Sequence, residues 1–295
     1  MKIGSISNIK KIVISTVLFF VAAIFFPTNF AQAAVTVTPA TGGTNISADT
    51  TGDGYTSLTG PILAEGATGD IGVGTIILNA PSGFMFDTGG VAATVVMTRI
   101  AGSGADTRNI NDLASGATIA VTRATTTLTI TITAASSNSV RNSLTWQDVR
   151  VRPTSGTPLA SGNITKSGTS AISGVTAGTT NLGTLTEVAG AKNKLSFTTQ
   201  PSSTATTSVD FTTKPVITLQ DQFGNTVTTD SVSTITRTAV LSTEVCGGTA
   251  GAGTLSSTPS DGTAVTAGVM TYTAMQYSEP ESIKICVTSS GVTSA

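Results

Sequence analysis

The chain has 295 residues, 15 basic and 16 acidic side chains for a formal charge of −1, no histidine, and 11% charged residues. Such a balance lacks the basic footprint of a nucleic-acid binder, and without histidine neither Ser-His-Asp nor Cys-His catalysis nor His-ligated zinc is open to it. Threonine makes up roughly a fifth of the residues, where Leu, Ala and Gly usually lead. Being β-branched, it suits the solvent face of a strand, so the chain reads as all-β.

The first segment reads as a targeting signal. Lys2, Lys10 and Lys11 precede an unbroken apolar run, Ile12–Phe26, and Ala31-Gln32-Ala33 supplies the small-x-small pattern that a signal peptidase accepts. The run is short of the roughly 20 residues a bilayer-spanning helix needs. The expectation is a signal peptide over residues 1–33, cleaved between Ala33 and Ala34. Losing three lysines and no acids moves the formal charge from −1 to −4. No later segment is apolar enough to span a membrane, so the mature chain is expected to have no membrane span.

Residues 34–188 carry strand signals at short spacing: Ala34–Ala40, Gly74–Ala80, Val91–Ile100, Ala117–Ala124 and Thr125–Ala135. In the last of these, Leu128, Ile130 and Ile132 alternate with Thr127, Thr129, Thr131 and Thr133, as in an antiparallel sheet with one face on a core. Along Ser143–Pro153, Leu144 and Trp146 share one phase and Val149 and Val151 the other. An extra residue at Gln147-Asp148, a β-bulge, would restore the register. No long segment repeats with a helical period, so the expected architecture is a β-sandwich.

Several local patterns compete with functional readings. Gly69–Gly74, GDIGVG, resembles a phosphate loop but leads into a strand rather than a helix, so it reads as a turn. Asp49–Gly54, DTTGDG, begins like an EF-hand loop and then departs from that signature, with Thr51 at the third position and Gly60 where the bidentate Glu belongs. A calcium site built from Asp49 and Asp53, with Glu65 or Asp70 as spare ligands, stays open beside the reading as solvated turn carboxylates; no metal or cofactor is assigned. Trp146, near Arg141, Arg150 and Arg152, is either an aromatic platform for carbohydrate or a core residue. The alternation of the two later arginines with Val149 and Val151 favours the core. Phe84 and Phe86 read as core anchors. Asn45-Ile-Ser and Asn163-Ile-Thr match the glycosylation acceptor pattern.

The strand pattern breaks over Thr184–Lys194, which puts a short linker at residues 189–193 and a second domain at 194–295. There Leu195 and Phe197, then Ile217 and Leu219, alternate with polar residues, and Gly224-Asn225 marks a tight reversal after Asp221. The strand closing on Asp221, the Gly224-Asn225 turn, the Gly268-Val269 strand and the final Tyr/Ile/Val strand together resemble the bacterial Ig-like repeats of invasin- and intimin-type surface proteins. The resemblance covers about the last third of the chain. It implies an Ig-like module that spaces or presents something outside the cell. Thus the fold expected is two tandem β-sandwich domains, the second Ig-like, behind a cleaved signal peptide.

Cys246 and Cys286 are the two cysteines, and in an exported chain an even pair reads first as a disulfide. Closing a loop of this size is worth at most about 4 kcal/mol in the chain-entropy model. Cys286 alternates with Ile285 and Val287, which places the bridge near the surface. Glu279-Pro280-Glu281 reads as a solvated turn, since paired catalytic carboxylates must face each other across a substrate.

No constellation points to an enzyme. The expected function is an exported, extracellular cell-surface structural or adhesive protein whose sandwiches act as spacers. Its partners would be a host-surface or cell-envelope protein or glycan, or further repeats of the same chain. The alternatives are a glycan- or protein-binding module in residues 34–188 and an accessory region of a larger secreted enzyme. Residues 289–295 stop where the repeats they resemble lead into another unit, so the chain is expected to be part of a longer polypeptide.

Overall fold

The computed structural model describes residues 33–52 and 54–294. The leader expected over 1–33 therefore lies outside the described residues except at its last position; Ala33 and Ala34 are both exposed.

The first sandwich contains β1 (Thr36–Thr38), β2 (Ile46–Ser47), β3 (Thr56–Leu58), β4 (Ile62–Ala64), β5 (Gly74–Asn79), β6 (Phe84–Phe86), β7 (Thr94–Ala101), β8 (Thr118–Ala120), β9 (Thr122–Arg123), β10 (Thr127–Ile132), β11 (Arg141–Gln147), β12 (Val149–Pro153), β13 (Ser161–Asn163), β14 (Thr165–Ser167) and β15 (Thr184–Val188). A five-stranded sheet, β1-β4-β11-β7-β8, and a four-stranded sheet, β14-β5-β10-β9, share one core with the smaller sheets β3-β12-β6 and β13-β15-β2. Helical structure among the described residues is confined to short 3₁₀ turns, at Ala48–Thr51, Asp106–Arg108 and Ile110–Asp112. The chain is all-β.

Period-2 patterning explains the core. Leu128 and Ile130 stand opposite Leu78 and Ile76 across β10 and β5, while Leu144 and Trp146 stand opposite Met97 and Val95 across β11 and β7. All eight are at most 1% exposed. Each such side chain contributes roughly 1.5–3 kcal/mol by leaving water. The threonines of β10 take the other, wetter face.

Two expectations about strand continuity need correction. The phase change after Trp146 is not a bulge within one strand. Gln147 and Asp148 are exposed, and Asp148 sits at φ 55°, a left-handed conformation that Asp tolerates better than most residues. The chain turns a corner there: β11 belongs to the five-stranded sheet and β12 to the β3-β12-β6 sheet. The register shift in this region falls at the other end of β11, between Arg141 and Asn142. Likewise Ala117–Ala124 is two strands, β8 pairing with β7 and β9 with β10. Gly60 lets β4 cross close to the corner, because a Cβ there would lie 2.1 Å from the Trp146 carbonyl oxygen.

The second sandwich is built from β16 (Lys194–Thr199), β17 (Val216–Gln220), β18 (Thr236–Leu241), β19 (Leu255–Thr258), β20 (Val269–Thr271), β21 (Ala274–Tyr277) and β22 (Ile283–Thr288). Its sheets are β16-β17-β20, β18-β22 and β19-β21, around a separate core that includes Leu195, Ile217, Leu219, Met270, Tyr277 and Val287.

Cys246 and Cys286 are bonded, with Cα atoms 5.6 Å apart. The bridge differs from expectation in its depth. Cys246 is exposed, but Cys286 is 1% exposed. Alternation does turn Cys286 away from Ile285 and Val287, yet the bridged segment folds back along β18, through Leu241 N–H to the Thr249 carbonyl and Gly251 N–H to the Ala239 carbonyl, and covers it. Replacing both cysteines by serine is expected to lower the stability of the second sandwich by about 2–4 kcal/mol and to leave the first unchanged, read as a downward shift of one calorimetric transition.

Candidate functional site

A polar network that joins distant parts of the chain lies where β15 gives way to β16. It is centred on Asp221, which is 0% exposed. The local cause is the DQFGN turn. Asp221 Oδ1 accepts from the backbone N–H groups of Phe223 and Asn225, each at 2.9 Å, and Gly224 takes φ 92° to complete the reversal. Asp in this position favours such a turn because its short carboxylate reaches its own downstream amides.

The other carboxylate oxygen leaves the turn. Asp221 Oδ2 accepts from Gly190 N–H in the connecting segment at 2.9 Å and from Asn225 Nδ2 at 2.9 Å. Asn225 Nδ2 also donates to the Gly156 carbonyl of the first sandwich at 2.7 Å. Gly156 lies flat against the Phe223 ring, where a Cβ would come within 2.4 Å. Alongside, Asp49 Oδ2 accepts from Ala191 N–H at 2.7 Å and Oδ1 from Gln222 Nε2 at 3.0 Å. Gly190 has no room for a side chain, since its Cβ would stand 2.1 Å from Asp49 Oδ1. Lys192 Nζ donates to Ser233 Oγ at 2.8 Å. Thus the connecting residues are bonded to both sandwiches, and the sandwiches to each other.

Electrostatics sharpen the junction. Burial alone would raise the Asp221 carboxyl, but the donors from Asn225, Gly190 and Phe223 outweigh it and hold its pKa below the ordinary 3.8. Glu187, 3% exposed, goes the other way: burial raises its pKa, the donor from Ala160 N–H opposes, and the Asp221 charge adds to the rise. Glu187 Oε2 accepts that Ala160 bond at 2.8 Å, while Oε1 has no hydrogen-bond partner.

The residues considered for calcium are dispersed among other duties. Asp49 serves the junction. Glu65, 2% exposed, accepts from Asn142 N–H at 2.7 Å, Ser136 Oγ at 2.9 Å and Ile71 N–H at 3.2 Å. Asp70 Oδ2 accepts from Ala67 N–H at 2.6 Å. Asp53 lies outside the described residues, among which no group of three or more His, Cys, Asp or Glu could hold a metal ion.

Trp146 is buried at 1% exposure and offers no platform. The aromatic ring that the arginines do meet is Tyr55, with the Arg150 and Arg152 guanidinium carbons 5.4 and 4.8 Å from its centroid. Arg150 also pairs with Asp87 at 2.7 Å, and Arg141 Nη1 donates to the Gly66 carbonyl. Glu281 is not a free turn carboxylate: it accepts from the Tyr277 hydroxyl and from Gly253 N–H. Asn45 and Asn163 are exposed.

The Gly224-Asn225 turn was visible in the sequence, but its clasp on Gly156 and Asp49 was not. Those partners lie 69 and 173 residues from the groups they bond. No family model, curated protein or solved structure matches the chain. No helix among the described residues is long and apolar enough to cross a membrane.

Removing the Asp221 carboxylate leaves four buried or half-buried donors unpaired, so Asp221→Ala is expected to cost about 3 kcal/mol and Asn225→Ala about 1 kcal/mol in urea unfolding. The acids at the junction predict opposite pH trends. Because folding lowers the Asp221 pKa, its contribution is present above 3.8 and is lost as pH falls through the folded value. Because folding raises the Glu187 pKa, the cost of its charge is absent below the ordinary 4.5 and appears as pH rises through the folded value. Glu187→Gln is therefore expected to raise the melting temperature at pH 7, with the gain shrinking toward pH 4.

Proposed function

We propose that this protein is an exported, cell-surface structural or adhesive component in which two sandwiches act as a rigid spacer that presents a binding surface. The observation that carries the reading is the Asp221 junction. A flexible tether needs no buried carboxylate, yet here the connection engages Asp49, Gly156, Gly190 and Asn225 at once. What supports the location is the leader pattern of the first 33 residues together with the disulfide, since disulfides persist in oxidising compartments. The likeness of the last third to invasin- and intimin-type Ig-like repeats agrees with both. Partners of this reading are a host-surface or envelope protein or glycan.

A second reading, a glycan- or protein-binding module in the first sandwich, is favoured by the half-buried Tyr55, whose ring both Arg150 and Arg152 approach. One set of samples tests both. Spin labels at Ala105 and Thr243, both exposed, should give a single narrow distance distribution that Asp221→Ala broadens. A broad distribution in the unmodified junction would overturn the spacer reading. Glycan-array binding abolished by Tyr55→Ala would move the assignment to the second. Membrane-impermeant labelling of intact producing cells should reach the protein; labelling only after lysis would overturn the location.

A further inference from the structure

Strand β12 turns Val149 and Val151 into the core, so its two arginines stand on the outer face of the β3-β12-β6 sheet. Register sorts that face into two rows. Arg150 stands opposite Ser57, and Asp87 N–H donates to the Arg150 carbonyl at 2.9 Å. Arg152 stands opposite Met85, and one further step of the β3 register brings Tyr55 alongside it. Tyr55, Arg152 and Met85 thus form one row, and Ser57, Arg150 and Asp87 the other. Two loops rim the face. On one side Arg152 Nη1 donates to the Gly52 carbonyl at 2.7 Å; on the other Asp87 Oδ1 accepts from Gly89 and Gly90 N–H, each at 2.9 Å.

Both guanidinium groups are held in place without being used up. Arg150 gives Nη1 to Asp87 Oδ2, Arg152 gives Nη1 to Gly52 and Nε to Met85 Sδ at 3.3 Å, and both lie near the Tyr55 ring. No hydrogen bond from either Nη2, from Arg150 Nε or from the Tyr55 hydroxyl occurs among the described residues. Asp87 does not neutralise the face. Its Oδ1 is taken by two amides and its Oδ2 by Arg150, and Arg123 as well as Arg150 acts on its charge. Arg123 Nη1 donates to the Gly90 and Val91 carbonyls, in the same rim loop. Among the described residues the face therefore sets three guanidinium groups against one carboxylate, on a chain of formal charge −1. Counting Asp53, which lies outside the described residues, against them still leaves the arginines in excess.

A guanidinium presents parallel N–H donors that match the paired oxygens of a carboxylate or sulfate. Ordering a long side chain is a usual cost of binding, and here Asp87, Gly52 and Met85 have already ordered both. The net negative charge of the chain disfavours a polyanion that must lie along much of its surface, such as nucleic acid or an anionic membrane. It suits a ligand whose charges are few and set among hydroxyls, and the exposed Ser57 and the Tyr55 hydroxyl can donate to and accept from such hydroxyls. We infer that the outer face of the β3-β12-β6 sheet binds an acidic glycan, with the carboxylate or sulfate of a sugar residue on Arg152 and Arg150 and sugar hydroxyls on Tyr55 and Ser57. The inference rests on the reading of the first sandwich as a binding module and names the ligand class for it.

The full chain is titrated calorimetrically with oligogalacturonate as the carboxylate probe, with its methyl ester, which keeps the sugar and removes the charge, and with a heparin oligosaccharide as the sulfate probe. At least one acidic probe should bind about tenfold more tightly than the ester, and added salt should weaken it. Arg152→Gln should weaken that binding about tenfold, and Arg152→Lys by less, because the charge remains while the fork is lost. Lys284→Gln makes the same change of charge at an exposed position of the second sandwich and should have no effect. The comparison of acid with ester is made on unaltered protein, so it decides the matter even where an Arg152 variant misfolds. Equal binding of acid and ester, lost in Tyr55→Ala, would overturn the acidic ligand and keep the glycan-module reading. Absence of binding to these probes and on a glycan array would overturn both. Binding to phosphatidylglycerol vesicles that is as sensitive to Arg152→Gln as the sugar binding would overturn the assignment to a glycan.

Discussion

A carboxylate with no exposure to solvent is costly unless every lone pair is used, and Asp221 uses both oxygens. Two bonds shape its own turn, one holds Gly190, and one orients the Asn225 amide whose remaining hydrogen reaches Gly156. Local and long-range structure are thereby solved by the same side chain. The turn cannot relax without releasing the connecting segment, and that segment cannot move without leaving a buried charge unmet. The glycines nearby follow from this closeness: Gly156 and Gly190 stand where any side chain would collide with Phe223 or Asp49.

Much of the fold was legible because β-structure writes its two faces into alternate residues. Leu128, Ile130 and Ile132 against the threonines of β10 required no long-range information, and neither did Leu195, Ile217 and Leu219. The harder cases are those where alternation stops. Leu144 and Trp146 on one phase and Val149 and Val151 on the other announce a discontinuity at Asp148, but a bulge and a change of sheet leave the same trace in sequence. What distinguishes them is which strand lies alongside, β7 for one half and β3 and β6 for the other. Cys286 is a related case. Alternation gave the direction of its side chain, but not the burial imposed by the segment its own bond draws over it.

The candidate site was less legible for the same physical reason. Asp49 read as a solvated turn carboxylate, with a cation as the alternative; in the structure it finds Ala191 N–H and Gln222 instead. Glu65 read as a spare ligand and is a buried acceptor that ties β4 to the start of β11. A carboxylate's partners are amides far away in the chain, and amides carry no signature in side-chain identity. The asymmetry at Glu187 belongs here too: one of its oxygens is bonded and the other is not, so the junction keeps one strained acid beside its well-satisfied one.

The bond between Cys246 and Cys286 has a mechanical meaning if the protein carries load along its length. Strand β22 lies near the end of the second sandwich's sequence and β18 near its middle, so traction on the termini passes through the pair they form. The 40-residue interval between the cysteines is closed to extension. About 130–145 Å of contour length stays locked in the loop even when everything around it has unravelled. The second sandwich can therefore lengthen under tension by little more than half of what its residue count would allow.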